Sequence, residues 1–393
     1  MCAVALGLAG CAGPADPGGP AADAGGGDAQ PSDTATADAA IAPLVVRQQG
    51  LGRLELGTVE LEQGSGLGPW LRFQLPPAAR SVTLTALAPG VGLAVGQWQD
   101  GAGALQVVPS WLGGPLAPWL CLTGCVQRQA ARPSQHSAWL VAEQAQQLPA
   151  GVWQVRTFGF DPQKESPISA VAKVRVDAVF GADSGKGVLR VNLCLTGALG
   201  ITAALAKDHP RIQQAIGALQ AIYAAAGVQV EVALVDVAVP NLLVEHDAAD
   251  GELAELFATG AKLPMAINVF LVEQLYRTQA SGTQPIAGLA GGIPGPPLEV
   301  GSPSAGVAIS LALGPGEDDR LGTVIAHELG HFLGLYHTVE AAAAGADALQ
   351  DQLADTDSDP KWLMHWSPGL GSAALSPEQM RILRASPWLQ PVP

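Results

Sequence analysis

The sequence is poor in charge, aromatic residues and cysteine, and each shortage excludes something. Charged residues make up 14% of the 393, against roughly a quarter in ordinary soluble domains. Lys and Arg number 20 against 35 Asp and Glu, a net charge of −15 with no basic stripe. A phosphate backbone demands such a stripe, so no nucleic-acid partner is expected. No run of about 18 apolar residues follows the N-terminus, so no bilayer-spanning helix is expected. Five cysteines are too few for a disulfide scaffold in a chain of 393. Cys121 and Cys125 suit a small disulfide loop, and Cys194 lies in an apolar run as a buried thiol.

Apolar residues, by contrast, reach 48%, enough for a substantial core. The length suggests two to three domains. At the N-terminus AVALGLAG leads into Cys11, and Leu8-Ala9-Gly10-Cys11 resembles the lipobox of bacterial lipoproteins. The resemblance implies a signal peptide over residues 1–10, although no Lys or Arg precedes the apolar stretch, and a lipid on Cys11. Residues 11–43 are almost all small or polar and read as a disordered tether. A monomer anchored at the periplasmic or extracellular face of a bacterial envelope is the expectation.

Residues 44–180 form short alternating runs split by Gly and Pro, which predicts an all-β sandwich or jelly roll. Trp70, Trp98, Trp111, Trp119, Trp139 and Trp153 serve there as core or as a ligand groove. Residues 181–393 predict an α+β domain. Strands over 188–196 and 228–237 flank a helix over 209–226, a parallel pair with a crossover. Further elements are a helix over 250–259, a strand over 266–272, a Gly/Pro-rich loop over 281–304 and a strand over 305–311. A last helix starts near Asp318 or Asp319. His136, His209 and His246 read as surface residues.

That last helix carries His327-Glu328-Leu329-Gly330-His331-Phe332-Leu333-Gly334-Leu335-Tyr336-His337. Histidines four apart on a helix stack on one face and can share one Zn²⁺. Glu328 is turned by about 100° from its neighbour, towards the attacking water and not into the ligand set. Gly334 can take a positive φ, end the helix and return His337 as a third ligand. Three protein ligands leave a tetrahedral ion one open position, the mark of a catalytic site.

The stretch resembles the HExxHxxGxxH motif of the metzincin metalloproteases, most closely the pappalysin group. Thr338 follows the third histidine, Asp355-Thr356 precedes Leu363-Met364-His365-Trp366, and Leu375-Ser376-Pro377-Glu378-Gln379 matches the start of a closing helix. The resemblance implies a metzincin-like fold with a mixed sheet, a zinc-dependent endopeptidase, Glu328 as general base, and a methionine turn at Met364. Position 366 is Trp where many relatives have Tyr, so Trp366 becomes the candidate support for the oxyanion. Relatives bind Ca²⁺ near the acidic stretch that precedes the methionine turn, which makes Asp351, Asp355 and Asp357 candidate calcium ligands; a solvated acidic loop reads equally well. Asp347 and Asp359 belong to the same stretch. A protein or peptide substrate would lie along Ala305–Leu311 as edge strand, with a movable loop Ala287–Gly301 beside the cleft. The competing reading is a surface-binding lipoprotein whose β-sandwich takes glycan or protein and whose metal site is inactive.

Overall fold

Between residues 51 and 180 the alternating runs become strands, and no helix occurs among the described residues there. The computed structural model describes residues 41–44, 50–107, 132–142, 147–161, 166–246, 251–279, 282–312, 320–340, 350–351, 353–367 and 373–390. The expected signal peptide, Cys11, Cys121, Cys125, Trp111, Trp119 and Asp347 lie outside them. The main strands of this first region are β1 (Leu51–Leu61), β2 (Leu71–Leu75), β3 (Ala79–Gln99), β4 (Arg132–Val141), β5 (Gly151–Asp161) and β6 (Ala170–Phe180). β3 takes in the alternating run SVTLTAL at 81–87 and continues to Gln99. Its register breaks between Leu87 and Gly92, where Gly90 takes φ 74. The first half of β3 pairs with β4 and β6, the second with β5, so β3 joins both halves of one continuous sheet. Ala42 and Pro43, assigned above to the tether, pair with Phe73 and Gln74 of β2, and Leu44 is buried.

Strand alternation sorts β3, β4 and β6 into two faces. Val82, Leu84, Val174 and Val176 point into an apolar core with Trp98 and Trp153, whose rings meet edge-on at 6.1 Å. His136 pairs with Ala86 and is 1% exposed, not a surface residue as its polar context suggested. The opposite face carries Ser81, Thr83, Thr85, Gln135, Ser137 and Asp177, and these are buried too. They are covered by the rest of the chain. Ser81 Oγ donates to Ala385 O (2.7 Å), and Ser302 Oγ donates to Gln135 Oε1 (2.6 Å). Asp177 accepts from Arg53 (2.6 Å) and Arg175 (3.0 Å), and both guanidinium groups also donate to Pro297 O. Arg175 further pairs with Glu299 at 2.5 Å.

The main strands of the second sheet are β7 (Gly187–Leu195), β8 (Val228–Asp236), β9 (Ile267–Val272), β10 (Gly288–Ala290) and β11 (Val307–Ser310), in the order β8-β7-β9-β11-β10. The expected crossover is present: α1 (Pro210–Ala224) links β7 to its parallel neighbour β8. β7, β9 and β11 are parallel, whereas β10 is antiparallel to β11 and forms the edge. Val307–Ser310 is therefore internal, which corrects the edge assigned above to Ala305–Leu311. The segment expected as one loop over 281–304 contains β10 and a hairpin strand, Gly282–Ile286. Ile286 to Pro297, most of the loop expected to be movable over Ala287–Gly301, is buried and pinned to its surroundings. Gly295 N donates to Phe332 O, and Trp388 Nε1 donates to Pro296 O. α1 and α2 (Leu321–Phe332) cover one sheet face; the short helix Glu252–Ala258 covers the other through Leu256 and Phe257. The described start of α2 is Leu321, two residues past the expected Asp319. α3 (Pro377–Arg384) is followed by a short strand, Leu389–Gln390, which pairs antiparallel with β7.

Asp177 is the charge on which the contact between the two regions turns. Asp177→Ala leaves two part-buried guanidinium groups facing Pro297 and Glu299 without their carboxylate. A loss of roughly 2–3 kcal/mol is expected in urea unfolding, since removing one member of a buried ion pair strands the other. Asp177→Asn, which keeps one acceptor oxygen, loses less.

Candidate metal centre

The ligating helix is buried on nearly every side. Of Leu321–Phe332 only Thr323 is not buried, and His327, Glu328 and His331 are 0%, 1% and 3% exposed. Such burial requires close packing, and glycine supplies it where α1 crosses α2. A Cβ on Gly322 would stand 2.6 Å from Ala215 O. Tyr223 OH ties the same helices by donating to Ala326 O at 3.1 Å.

α2 ends at Phe332, and Gly334 takes φ 100, as its place in the motif predicts. Gly334 N then donates to His331 O and Leu335 N to Gly330 O, reversing the chain within one turn. Trp139 of β4 packs on this turn, where a Cβ on Gly334 would fall 2.2 Å from its ring. The reversal sets His337, 0% exposed, opposite the two helix histidines. From below comes Leu363-Met364. Met364 is fully buried, and its sulfur lies where a Cβ on Gly330 would approach within 2.6 Å. Met364 O accepts from Thr338 N at 2.9 Å, joining the methionine turn to the third ligand's segment.

Each imidazole is oriented through Nδ1. His327 Nδ1 meets Leu363 O at 2.6 Å, His331 Nδ1 meets Leu335 O at 2.7 Å, and His337 Nδ1 meets Glu340 Oε2 at 2.7 Å. All three partners can only accept, so each Nδ1 carries a proton, and the Nε2 lone pair is what each ring can offer an ion. Those lone pairs converge: His337 Nε2 is 3.2 Å from His327 Nε2 and 3.1 Å from His331 Nε2. Burial, helped by the neighbouring His337, pushes the His327 imidazole down to about 3, which keeps it neutral as a ligand must be. Tetrahedral nitrogen ligands at about 2.0–2.1 Å from zinc stand about 3.3 Å apart. The donor set therefore fits a zinc ion. Among the described residues this trio is the one group of three or more His, Cys, Asp or Glu whose ligand atoms gather within 4.8 Å.

Glu328 sits outside that trio, as expected. Its side chain lies against the edge strand: a Cβ on Gly288 would come 2.6 Å from Glu328 Cγ and 3.0 Å from Oε1. The proposed calcium ligands are not gathered. Asp355 accepts from Ser376 Oγ (2.8 Å) and Glu378 N (2.9 Å), capping α3 beside its Ser376–Gln379 capping box. Asp357 accepts from Trp362 Nε1 at 2.7 Å, and Asp351 accepts from Thr356 Oγ1 and Leu353 N. Each carboxylate serves its own turn or helix cap, as in the acidic-loop reading given above. Trp366 is half-buried with its ring 6.0 Å from that of His365. Cys194 is buried as expected, and burial raises its thiol to about 12. Sequence reasoning missed Leu335 O and Leu363 O, which are backbone groups without a residue signature, and Gly288. It also missed Glu340, a carboxylate three residues past a ligand, which could have been noticed.

Comparison with known proteins points to the same stretch. Residues 312–370 match the family model Peptidase_M43, described as pregnancy-associated plasma protein-A. No curated protein matches the sequence. Among solved structures, archaemetzincin from Methanopyrus kandleri overlaps 52% of this chain and 90% of its own at 15% identity and TM-score 0.28. Metalloproteinase-II from Bacteroides fragilis overlaps 57% of this chain at 12% identity and TM-score 0.33, and the overlap spans 64% of that chain. At these scores the likenesses do not extend to the whole fold. The family match encloses all three histidines, Glu328 and Met364.

The turn after α2 gives a direct test. Gly334→Ala forces a Cβ into the left-handed region and into Trp139. Thermal unfolding is expected to show a loss of about 2–3 kcal/mol, strain and overpacking acting together. Zinc retention should fall with it, because the same turn delivers His337.

Proposed function

We propose that the chain is a zinc-dependent endopeptidase. The observation that carries this reading is the convergence of three Nδ1-anchored imidazoles beside a buried glutamate that is not one of them. A structural zinc site would close with a fourth side chain, and the described residues bring none to the trio. The matched peptidase model over 312–370 supports the same reaction class.

Bound zinc supplies Lewis-acid polarisation of the scissile carbonyl and acidifies the attacking water. Everything else falls to the chain. His327, His331 and His337 hold the ion, and Leu363 O, Leu335 O and Glu340 hold them. Glu328 takes the proton of the attacking water and passes it to the leaving amine. Its place between α2 and Gly288 puts the scissile peptide next to the edge strand, where an extended substrate backbone can align with β10. Trp366, two residues past Met364, is assigned the oxyanion-donor role through its indole N–H. The N-terminal resemblance to a lipobox supports placing this activity at the cell envelope through a lipid on Cys11, and loss of membrane association in Cys11→Ser tests it.

The reading is tested by incubating the full chain with a mixed peptide library, with and without a zinc chelator. Chelator-sensitive cleavage is expected. Glu328→Ala should bind zinc undiminished and lose cleavage by about 10²–10⁴-fold, the usual share of a general base. Undiminished cleavage by this variant, or zinc binding without any hydrolysis by the parent, refutes the assignment. Gly288→Ala should also lower turnover at full zinc occupancy, because the new methyl group displaces the Glu328 side chain.

A further inference from the structure

The three imidazoles are not anchored alike. His327 and His331 each donate Nδ1–H to a backbone carbonyl, at 2.6 and 2.7 Å. His337 alone donates to a carboxylate, Glu340 Oε2, at 2.7 Å, with the glutamate side chain 17% exposed and the imidazole fully buried. The carboxylate sits on the Nδ1 side of the ring, away from the Nε2 atoms that gather around the ion, so Glu340 orients a ligand without competing to be one.

The backbone around Glu340 is held from both sides. Thr338 N donates to Met364 O, Asp351 N donates to Thr338 O, and Val339 bridges both His365 and Gln350. His337 is also the ligand with the least support from regular structure. The other two stand on one turn of α2, whereas His337 follows a reversal at Gly334. A charge-assisted hydrogen bond is roughly twice as strong as a neutral one, and it is placed on the ligand that helix geometry does not fix.

We propose that Glu340 is a positioning residue for the metal: it holds His337 in the Nδ1–H tautomer, turns Nε2 towards the ion, and strengthens the imidazole as an electron donor. This rests on the zinc site proposed above and adds to it a residue outside the HExxHxxGxxH motif. Partners of this kind typically contribute 10–100-fold to metal affinity.

The test is zinc affinity of the full chain, by competition with a chromophoric chelator, with Co²⁺ absorption as a second readout. Glu340→Ala should weaken zinc binding by about 10–100-fold. Glu340→Gln, nearly isosteric and still offering an acceptor oxygen, should fall between Ala and the parent. The Co²⁺ ligand-field bands should shift in Glu340→Ala, while the metal-free protein melts as the parent does. Asp359→Ala removes an exposed carboxylate that pairs with Lys361 and not with any of the three ligand imidazoles, and should leave affinity unchanged. Equal zinc affinity in Glu340→Ala and the parent overturns the proposal while leaving the zinc site standing. So does an Asp359→Ala loss as large as that of Glu340→Ala, which would mark a general charge effect. A parent protein that binds no zinc overturns both the proposal and the site beneath it.

Discussion

Three nitrogen lone pairs aimed at one point repel each other unless a cation lies between them, and the C-terminal region is arranged around that constraint. The arrangement is enforced at the far side of each ring. Two carbonyls and one carboxylate take the Nδ1 protons, which leaves Nε2 no choice of role. The desolvation that makes His327 reluctant to protonate works in the same direction. The buried surroundings thus favour a divalent ion over the proton that would otherwise relieve the crowding.

Supplying those acceptors explains features that look unrelated in the sequence. Gly334 is needed so that Leu335 can turn its carbonyl back on His331. Met364 is needed as a volume: its sulfur fills the space under Gly330 and so sets the height at which Leu363 O meets His327. The capping of α3 by Asp355 belongs to the same device, since Asp355 lies eight residues before Leu363 and fastens the acidic stretch to Ser376 and Glu378. The Asp-rich run that invites a calcium reading is, for these carboxylates, a series of turns and a helix cap. Acidic side chains favour helix N-termini and tight turns for the same electrostatic reasons that they favour cations, so the sequence pattern alone does not separate the two.

Legibility followed the range of the interactions involved. The histidine ligands, Glu328 and the turn at Gly334 were readable because helical period and glycine chirality act within a few residues. The crossover β7–α1–β8 was readable for the same reason. The edge strand was not. Gly288-Leu289-Ala290 has no alternating pattern and lies in a Gly/Pro-rich run, and it becomes a strand only because Val307–Ser310 offers it a partner. The stronger apolar run at 305–311 drew the edge assignment, yet an apolar run marks a strand with neighbours on both sides.

The N-terminal region shows a second limit on reading by pattern. Ser81, Thr83 and Thr85 alternate with Val82 and Leu84 as a solvent-facing set would, and that alternation identified the strand correctly. Their burial comes from elsewhere. The face they form carries hydroxyls, an amide and an Arg–Asp–Arg cluster, and it is matched by Pro297 O, Glu299, Ser302 and Ser304 on a segment that leads from the edge strand β10 to β11. A polar face of this kind costs little to expose, and covering it requires each hydrogen bond to find its partner. The segment so gripped begins at Gly291, directly after β10, and includes Ile293, whose carbonyl accepts from Tyr336 OH, next to His337. The N-terminal strands therefore bear on the metal site at two points, through this segment and through Trp139 on the Gly334 turn. A metal site bounded in this way inherits its shape from both regions, and the β-rich half is part of its framework before it is anything else.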